Sequence, residues 1–210
     1  MDTTQAYWDQ RYNAEEKIWG EKPSLTALYA LDIFQKAGVK SILVPGSGYG
    51  RHTAFFSQAG FRVTGIEISS VAVELARKFD PVSHFYNASV LEMSDDYGQF
   101  DAIYCFNVLH LFLEKQRLSF IQDCAERLKR NGLMFFCVFS ENEADFGKGK
   151  AVEKNTFETR PGRPAHYFTE DDLRQHFARF QIKDTGLMKD PEDHGGKPHT
   201  HILRYICAGI

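Results

Sequence analysis

The sequence predicts an α/β fold built on a doubly wound parallel sheet, and three stretches carry that prediction. Lys40-Ser-Ile-Leu-Val-Pro-Gly-Ser-Gly-Tyr-Gly-Arg51, followed by Val63-Thr-Gly-Ile-Glu67, reads as strand, glycine-rich turn, helix, strand and terminal acid. Strand-like and helix-like segments then alternate as far as Phe139. In the tail, Phe180 to Met188 and His199 to Cys207 are strand-like runs around the turn-rich Lys189-Asp-Pro-Glu-Asp-His-Gly-Gly-Lys-Pro198, the pattern of a hairpin.

Each element has a local reason. Ser41 to Val44 is a short aliphatic run suited to a buried parallel strand, and Gly46, Gly48 and Gly50 let the chain turn where side chains would obstruct a ligand. Arg51 to Ala59 has helical spacing and stops at Gly60, so its free amino-terminal amides face whatever lies over the turn. Phe61 to Ile66 is the next strand, ending at Glu67. A helix from about Ser69 to Phe79, a strand at His84 to Ala88 and an apolar strand opened by Phe100-Asp101 follow. The spacing then predicts a helix over Glu114 to Lys129, stopped by Asn131-Gly132, and a strand over Leu133 to Phe139.

Glycines in a turn fit an ordinary strand-to-helix connection. The added strand, helix and acid point to a nucleoside-type cofactor, because a carboxylate at the end of the second strand can accept from both vicinal ribose hydroxyls. A dinucleotide fingerprint calls for glycine where Arg51 stands, which disfavours NAD. An NAD-linked Rossmann oxidoreductase stays as the alternative, together with a cofactor-binding regulator that catalyses nothing.

Val44-Pro-Gly-Ser-Gly-Tyr-Gly50, Val63-Thr-Gly-Ile-Glu67, the strand ending in Asn107-Val-Leu-His110, and Asn131-Gly-Leu133 resemble the successive motifs of class I S-adenosylmethionine-dependent methyltransferases. The resemblance extends from about Trp8 to the C-terminus. It implies a Rossmann-like seven-stranded sheet in order 3-2-1-4-5-7-6 with strand 7 antiparallel, S-adenosyl-L-methionine as cofactor and S-adenosyl-L-homocysteine as product. Tyr7-Trp-Asp-Gln-Arg-Tyr12 with Trp19-Gly20, and Val44-Pro45, are similar to thiopurine methyltransferases; Gly46 to Arg51 and Leu203-Arg-Tyr205 are similar to tellurite-resistance methyltransferases. Val44 stands where many class I enzymes carry an acid, and Phe106 where the thiopurine branch has an arginine.

The resemblance and the turn geometry together imply cofactor contacts from Gly46, Ser47, Gly48, Gly50 and Arg51 in the turn, and from Glu67 and Ile68 at the second strand. Ser89 and Val90 are placed to contact adenine, and Asn107 and Val108 to line the pocket beside the transferring methyl. Tyr12 and Trp19 are assigned to a lid over the cofactor, Trp8 to packing, and Arg11 to the methionine carboxylate or to a solvated helix face. No protein nucleophile is required for direct in-line transfer. On the acceptor side the candidates are His110, His199, His201 and Arg204, able to bind an anion or to take a proton from an S-, Se/Te- or other heteroatom acceptor. His194, His199 and His201 invite a metal reading, yet no carboxylate or cysteine spacing completes a recognisable motif, so no metal is expected.

At 210 residues and 43% hydrophobic, the chain is expected to form a single domain over 1–210, with 1–36 as an N-terminal helical lid and 140–166 as an acceptor-side insertion. The stretch from Ser140 to His166 reads as a long polar connection without regular structure, of the kind that is functional or disordered. Four scattered cysteines (Cys105, Cys124, Cys137, Cys207) read as core packing. A net charge of -3 gives no nucleic-acid footprint, and no run is long enough to span a membrane. A cytoplasmic protein with a small-molecule acceptor, monomeric or weakly dimeric, is expected.

Overall fold

The computed structural model describes residues 3–193 and 198–210. Its centre is a seven-stranded sheet. The strands are β1 (Ser41–Pro45), β2 (Arg62–Glu67), β3 (His84–Asn87), β4 (Phe100–Phe106), β5 (Leu128–Phe139), β9 (Gln181–Asp193) and β10 (Pro198–Gly209). They lie in the order β3-β2-β1-β4-β5-β10-β9. β10 runs antiparallel to both β5 and β9, and the other pairs are parallel. This is the expected arrangement, with β10 as the seventh strand of the sheet. Its order reverses between β1 and β4, so the carboxyl ends of those strands flank a crevice, where ligands of doubly wound sheets bind.

Helices α2 (Leu25–Lys36) and α3 (Arg51–Gln58) cover one face, and α5 (Glu114–Glu126) with α6 (Glu170–His176) cover the other. Strand alternation explains the division. Leu133, Phe135 and Cys137 enter the cluster beneath α2, while Met134, Phe136 and Val138 enter the one beneath α5. Phe34, Phe56, Phe120 and Phe177 are fully buried between helix and sheet, each contributing about 1.5–3 kcal/mol. All four cysteines are buried and free, in keeping with their reading as core residues. Helix α4 (Ser70–Phe79) flanks β2 and β3, and α1 (Thr3–Glu15) packs on α4.

Two local expectations change. Asn131-Gly132 does not stop α5, which ends at Glu126; it lies inside β5, with Asn131 at φ 63°, because Leu128 already pairs with Phe100. The stretch from Ser140 to His166 is not a connection without regular structure. It holds a three-stranded antiparallel sheet of β6 (Lys150–Glu153), β7 (Thr156–Arg160) and β8 (Arg163–His166). His166 anchors that sheet, its ring meeting Thr156 Oγ1 at 2.8 Å and Asp172 Oδ2 of α6 at 2.6 Å.

Candidate active site

The glycine turn leaves β1 with Gly46 at φ 66°, Gly48 at φ 55° and Gly50 at φ 91°, all in the left-handed region. The amides of Gly46 and Ser47 donate to the Ile66 carbonyl at 2.7 and 3.1 Å, binding the turn to the end of β2. Gly46 has no room for a side chain: a Cβ there would lie 2.3 Å from Val108 Cγ2. Gly50 caps α3 with no side-chain acceptor, so the helix opens towards the crevice with its first amides uncovered by a cap.

Glu67 is buried at the carboxyl end of β2. Its Oε2 accepts from Gly48 N at 3.0 Å and its Oε1 from Ser69 N at 2.8 Å. Burial raises its pKa, and these backbone donors oppose the rise. Ile68 is half-buried beside it, its carbonyl accepting from Asn87 Nδ2 at 2.9 Å. Ser89 Oγ accepts from Leu91 N at 3.2 Å, while Val90 is buried in the α5-side core rather than open to a ligand.

Aromatic rings stand over the turn. Tyr12 is buried, and its hydroxyl would be 2.9 Å from a Cβ on Gly48. Trp19 stacks on Tyr49 at 6.3 Å, and the Tyr49 hydroxyl donates to the Gly20 carbonyl at 2.5 Å. The Arg11 guanidinium lies 5.3 Å from the Trp19 ring and 5.8 Å from that of Trp8. Asp9 docks α1 on α4 by accepting from Ser69 Oγ at 2.6 Å and Val71 N at 3.3 Å. Arg51 lies over the Phe106 ring at 5.4 Å, and its guanidinium is held by the protein: Nη1 donates to the Trp19 carbonyl at 2.9 Å and Nη2 to Glu192 Oε1 at 2.8 Å.

β4 is followed by Asn107, whose φ of 56° turns the chain, and whose Oδ1 is buried without a protein partner. Ser47 Oγ and His110 Nδ1 are likewise buried and unpartnered. His110 stacks on Phe139 at 3.8 Å; burial, with lesser repulsion from His201 and His166, lowers its pKa to about 3.

Residues 42–132 match the family model for a methyltransferase domain. No curated protein matches the sequence. Among solved structures, an S-adenosylmethionine-dependent methyltransferase from Anabaena variabilis superposes with a TM-score of 0.75 at 18% identity, over 99% of this chain and 93% of that one. The chain has the Rossmann-like methyltransferase fold. Burkholderia thailandensis 1,6-didemethyltoxoflavin-N1-methyltransferase, solved with 1,6-didemethyltoxoflavin and S-adenosylhomocysteine, gives 0.72 at 21% identity over 98% of this chain and 86% of that one. Magnesium protoporphyrin IX methyltransferase from Synechocystis, with S-adenosylhomocysteine, gives 0.70 at 16% identity over 98% and 97%.

In this methyltransferase fold the acceptor-side candidates divide between the two faces of β10. Arg204 does not share a surface with His199 and His201, because its offset from each along the strand is an odd number of positions. Its Nε donates to Glu141 Oε2 at 2.8 Å and to the Phe168 carbonyl at 3.0 Å, so it clamps the start of α6 to the sheet. His201 stacks on Phe139 at 5.2 Å; its Nδ1 is 3.1 Å from Glu143 Oε2 and its Nε2 is 3.7 Å from Glu192 Oε2. Burial lowers the His201 pKa, but Glu143, Glu192 and Asp190 together raise it more. The exposed His199 ring lies 4.5 Å from that of His201, and His194 falls outside the described residues.

Sequence reasoning missed Tyr49, Glu143, Asp190 and Glu192. Tyr49 lay in view inside the glycine motif. The acids pair with residues dozens of positions away, and Asp190 and Glu192 sit in a stretch whose turn-rich composition concealed a strand. Among the described residues, no helix is long and apolar enough to cross a membrane.

Proposed function

We propose that the protein is an S-adenosylmethionine-dependent methyltransferase acting on a small molecule through a heteroatom acceptor. The observation that carries this is the cradle itself: Glu67, buried and aligned by the Gly48 and Ser69 amides, beside a turn in which Gly46 is pressed against Val108. The residues present fit the cofactor. Glu67 accepts from the ribose hydroxyls, Gly46 to Gly50 and the α3 amides face the methionine end, and Ser89 borders the adenine position. The unpartnered Ser47 Oγ and Asn107 Oδ1 give the site polar contacts to offer a ligand.

When bound, S-adenosylmethionine supplies a methyl group activated on a sulfonium. The chain supplies position and a water-poor enclosure. Tyr12, Trp19 and Tyr49 form an aromatic cover suited to a cationic sulfur, with α1 held in place through Asp9. With a pKa near 3, His110 stays neutral at pH 7 and serves as a hydrogen-bond partner to the acceptor rather than as its proton sink. The chain is read as one domain, with residues 1–36 and the 140–166 insertion closing over this edge. Solved neighbours named as methyltransferases of 1,6-didemethyltoxoflavin and of magnesium protoporphyrin IX favour a small acceptor. The resemblance of the sequence motifs to those of tellurite-resistance and thiopurine methyltransferases favours a soft one.

Calorimetry with S-adenosylmethionine, S-adenosylhomocysteine and NAD, followed by a transfer screen with methyl-labelled cofactor, tests the reading. Binding of the first two and label transfer to a small acceptor are expected. NAD binding without S-adenosylmethionine binding overturns it, and cofactor binding with no transfer to any acceptor favours the regulator.

A further inference from the structure

The strongest feature outside the cofactor cradle lies where the last hairpin meets the loop after β5. One ligand atom from each of Glu143, His199 and His201 falls within 4.8 Å of the others. The Glu143 and His201 side chains are 7% and 12% exposed, whereas His199 is open to solvent, so the trio has a fixed floor and an accessible side. Glu192 Oε2 adds a second carboxylate 3.7 Å from His201 Nε2. Among the described residues acids outnumber cations there: Arg51 answers Glu192, while Asp190, paired in register with His201, keeps Oδ2 buried without a hydrogen-bond partner.

We propose that Glu143, His199 and His201 form a binding site for a divalent first-row transition metal. Two imidazoles and one carboxylate are a borderline donor set, which takes zinc, cobalt, nickel or ferrous iron in preference to magnesium or calcium. An ion with bonds of about 2.0–2.2 Å draws tetrahedral ligands to about 3.3–3.6 Å of one another. The adjustment from the present spacing falls mainly on the exposed His199. Three protein ligands leave a coordination position open, the mark of a site that receives a further ligand rather than one that only braces the fold.

That open position has a natural occupant. His201 and His110 stack on the same Phe139 ring, so the trio sits at the carboxyl edge of the sheet, next to the residues that border the cofactor crevice. A soft or anionic donor atom of the acceptor, such as a thiolate, selenolate or oxyanion, is the ligand class the position takes. This assignment of the occupant rests on the methyltransferase reading; the metal site itself does not.

The test uses untagged full-length protein stripped with chelator and titrated with cobalt(II), read by its ligand-field absorption, with zinc(II) as competitor. About one equivalent is expected, displaced by zinc and not by magnesium. His199→Ala and Glu143→Gln should each weaken cobalt binding more than about 100-fold, beyond the 10- to 100-fold typical of groups that only support a ligand. Because His199 is exposed, its variant should keep the wild-type melting temperature and S-adenosylmethionine affinity. Cobalt binding unchanged in both variants, or uptake by the wild type no greater than by His199→Ala/His201→Ala, overturns the site. Metal binding without S-adenosylmethionine binding would leave the site standing and remove the methyltransferase reading; the converse would do the opposite.

Discussion

Arg51 Nη2 donates to Glu192 Oε1 across 2.8 Å, joining the first residue of the helix after the glycine turn to the edge strand of the last hairpin. Both side chains are buried, at 7% and 3% exposure. Removing Arg51 leaves Glu192 with its weaker contact to His201 Nε2 at 3.7 Å, and breaking a buried pair costs up to about 3–5 kcal/mol. Arg51→Met should therefore lower urea stability by that amount, and Arg51→Met/Glu192→Met should recover much of it. Arg51→Met within about 1 kcal/mol of wild type would show that the pair carries no such energy.

Glu67 supports both the fold and the proposed cofactor. Glu67→Gln keeps one carbonyl acceptor for a backbone amide but loses the charge that receives the ribose. S-Adenosylmethionine affinity should fall by about 2–3 kcal/mol, or about 30- to 150-fold. Calorimetry alongside thermal melting checks this, and a variant that melts as wild type and binds as wild type refutes the ribose assignment.

At Gly46 a side chain meets both a left-handed backbone at φ 66° and Val108 Cγ2 at 2.3 Å. Gly46→Ala should cost about 2–4 kcal/mol from conformational strain and overpacking combined. Val108→Ala in the same chain removes the clash but not the strain, so the double variant should regain about half. Equal denaturation midpoints for the single and double variants would place the whole cost in the backbone.

The pKa of His110, about 3 in the folded protein, lies below the ordinary 6.5, so the unfolded chain takes up the proton first as pH falls. This contribution to stability is whole above about pH 6.5 and is lost progressively towards pH 3. At pH 5 the loss is about 2 kcal/mol. His110→Phe keeps a ring against Phe139 and removes the titration. Its stability should drop less than that of wild type between pH 7.5 and 5, as measured by urea midpoints, and parallel losses would deny His110 this role.

Local chemistry explains which parts were legible in the sequence. Glu67 and the glycines act through neighbours in one short unit, and pattern alone found them. The Asn131-Gly132 pair signals a helix stop or an irregular strand equally well, and only the pairing of Leu128 with Phe100 decides between them. Pro191 made a turn of what is strand β9, where an edge position tolerates a missing donor. The strands β6 to β8 are short and mostly half-buried or exposed, so no hydrophobic period announced them. Arg204 and the histidines were grouped by closeness in sequence, although the strand's period of two sets them on opposite faces.

The insertion touches α1, the proposed lid over the glycine turn, through Arg163. The Arg163 guanidinium carbon of β8 stands 3.2 Å from the centroid of the Tyr7 ring and 5.1 Å from that of Trp8, both on α1. A cation over an aromatic face contributes about 0.5–2 kcal/mol, enough to bias a helix end but not to fold the protein. Arg163→Ala should weaken S-adenosylmethionine binding about 2- to 30-fold and speed tryptic cleavage within α1, with little change in melting temperature. Arg163→Lys keeps a cation but not the planar stack, and should fall between. If the alanine variant binds the cofactor and resists trypsin as wild type does, the insertion does not hold α1, and its contacts to the glycine-turn side, Asp9 with Ser69 among them, anchor it instead.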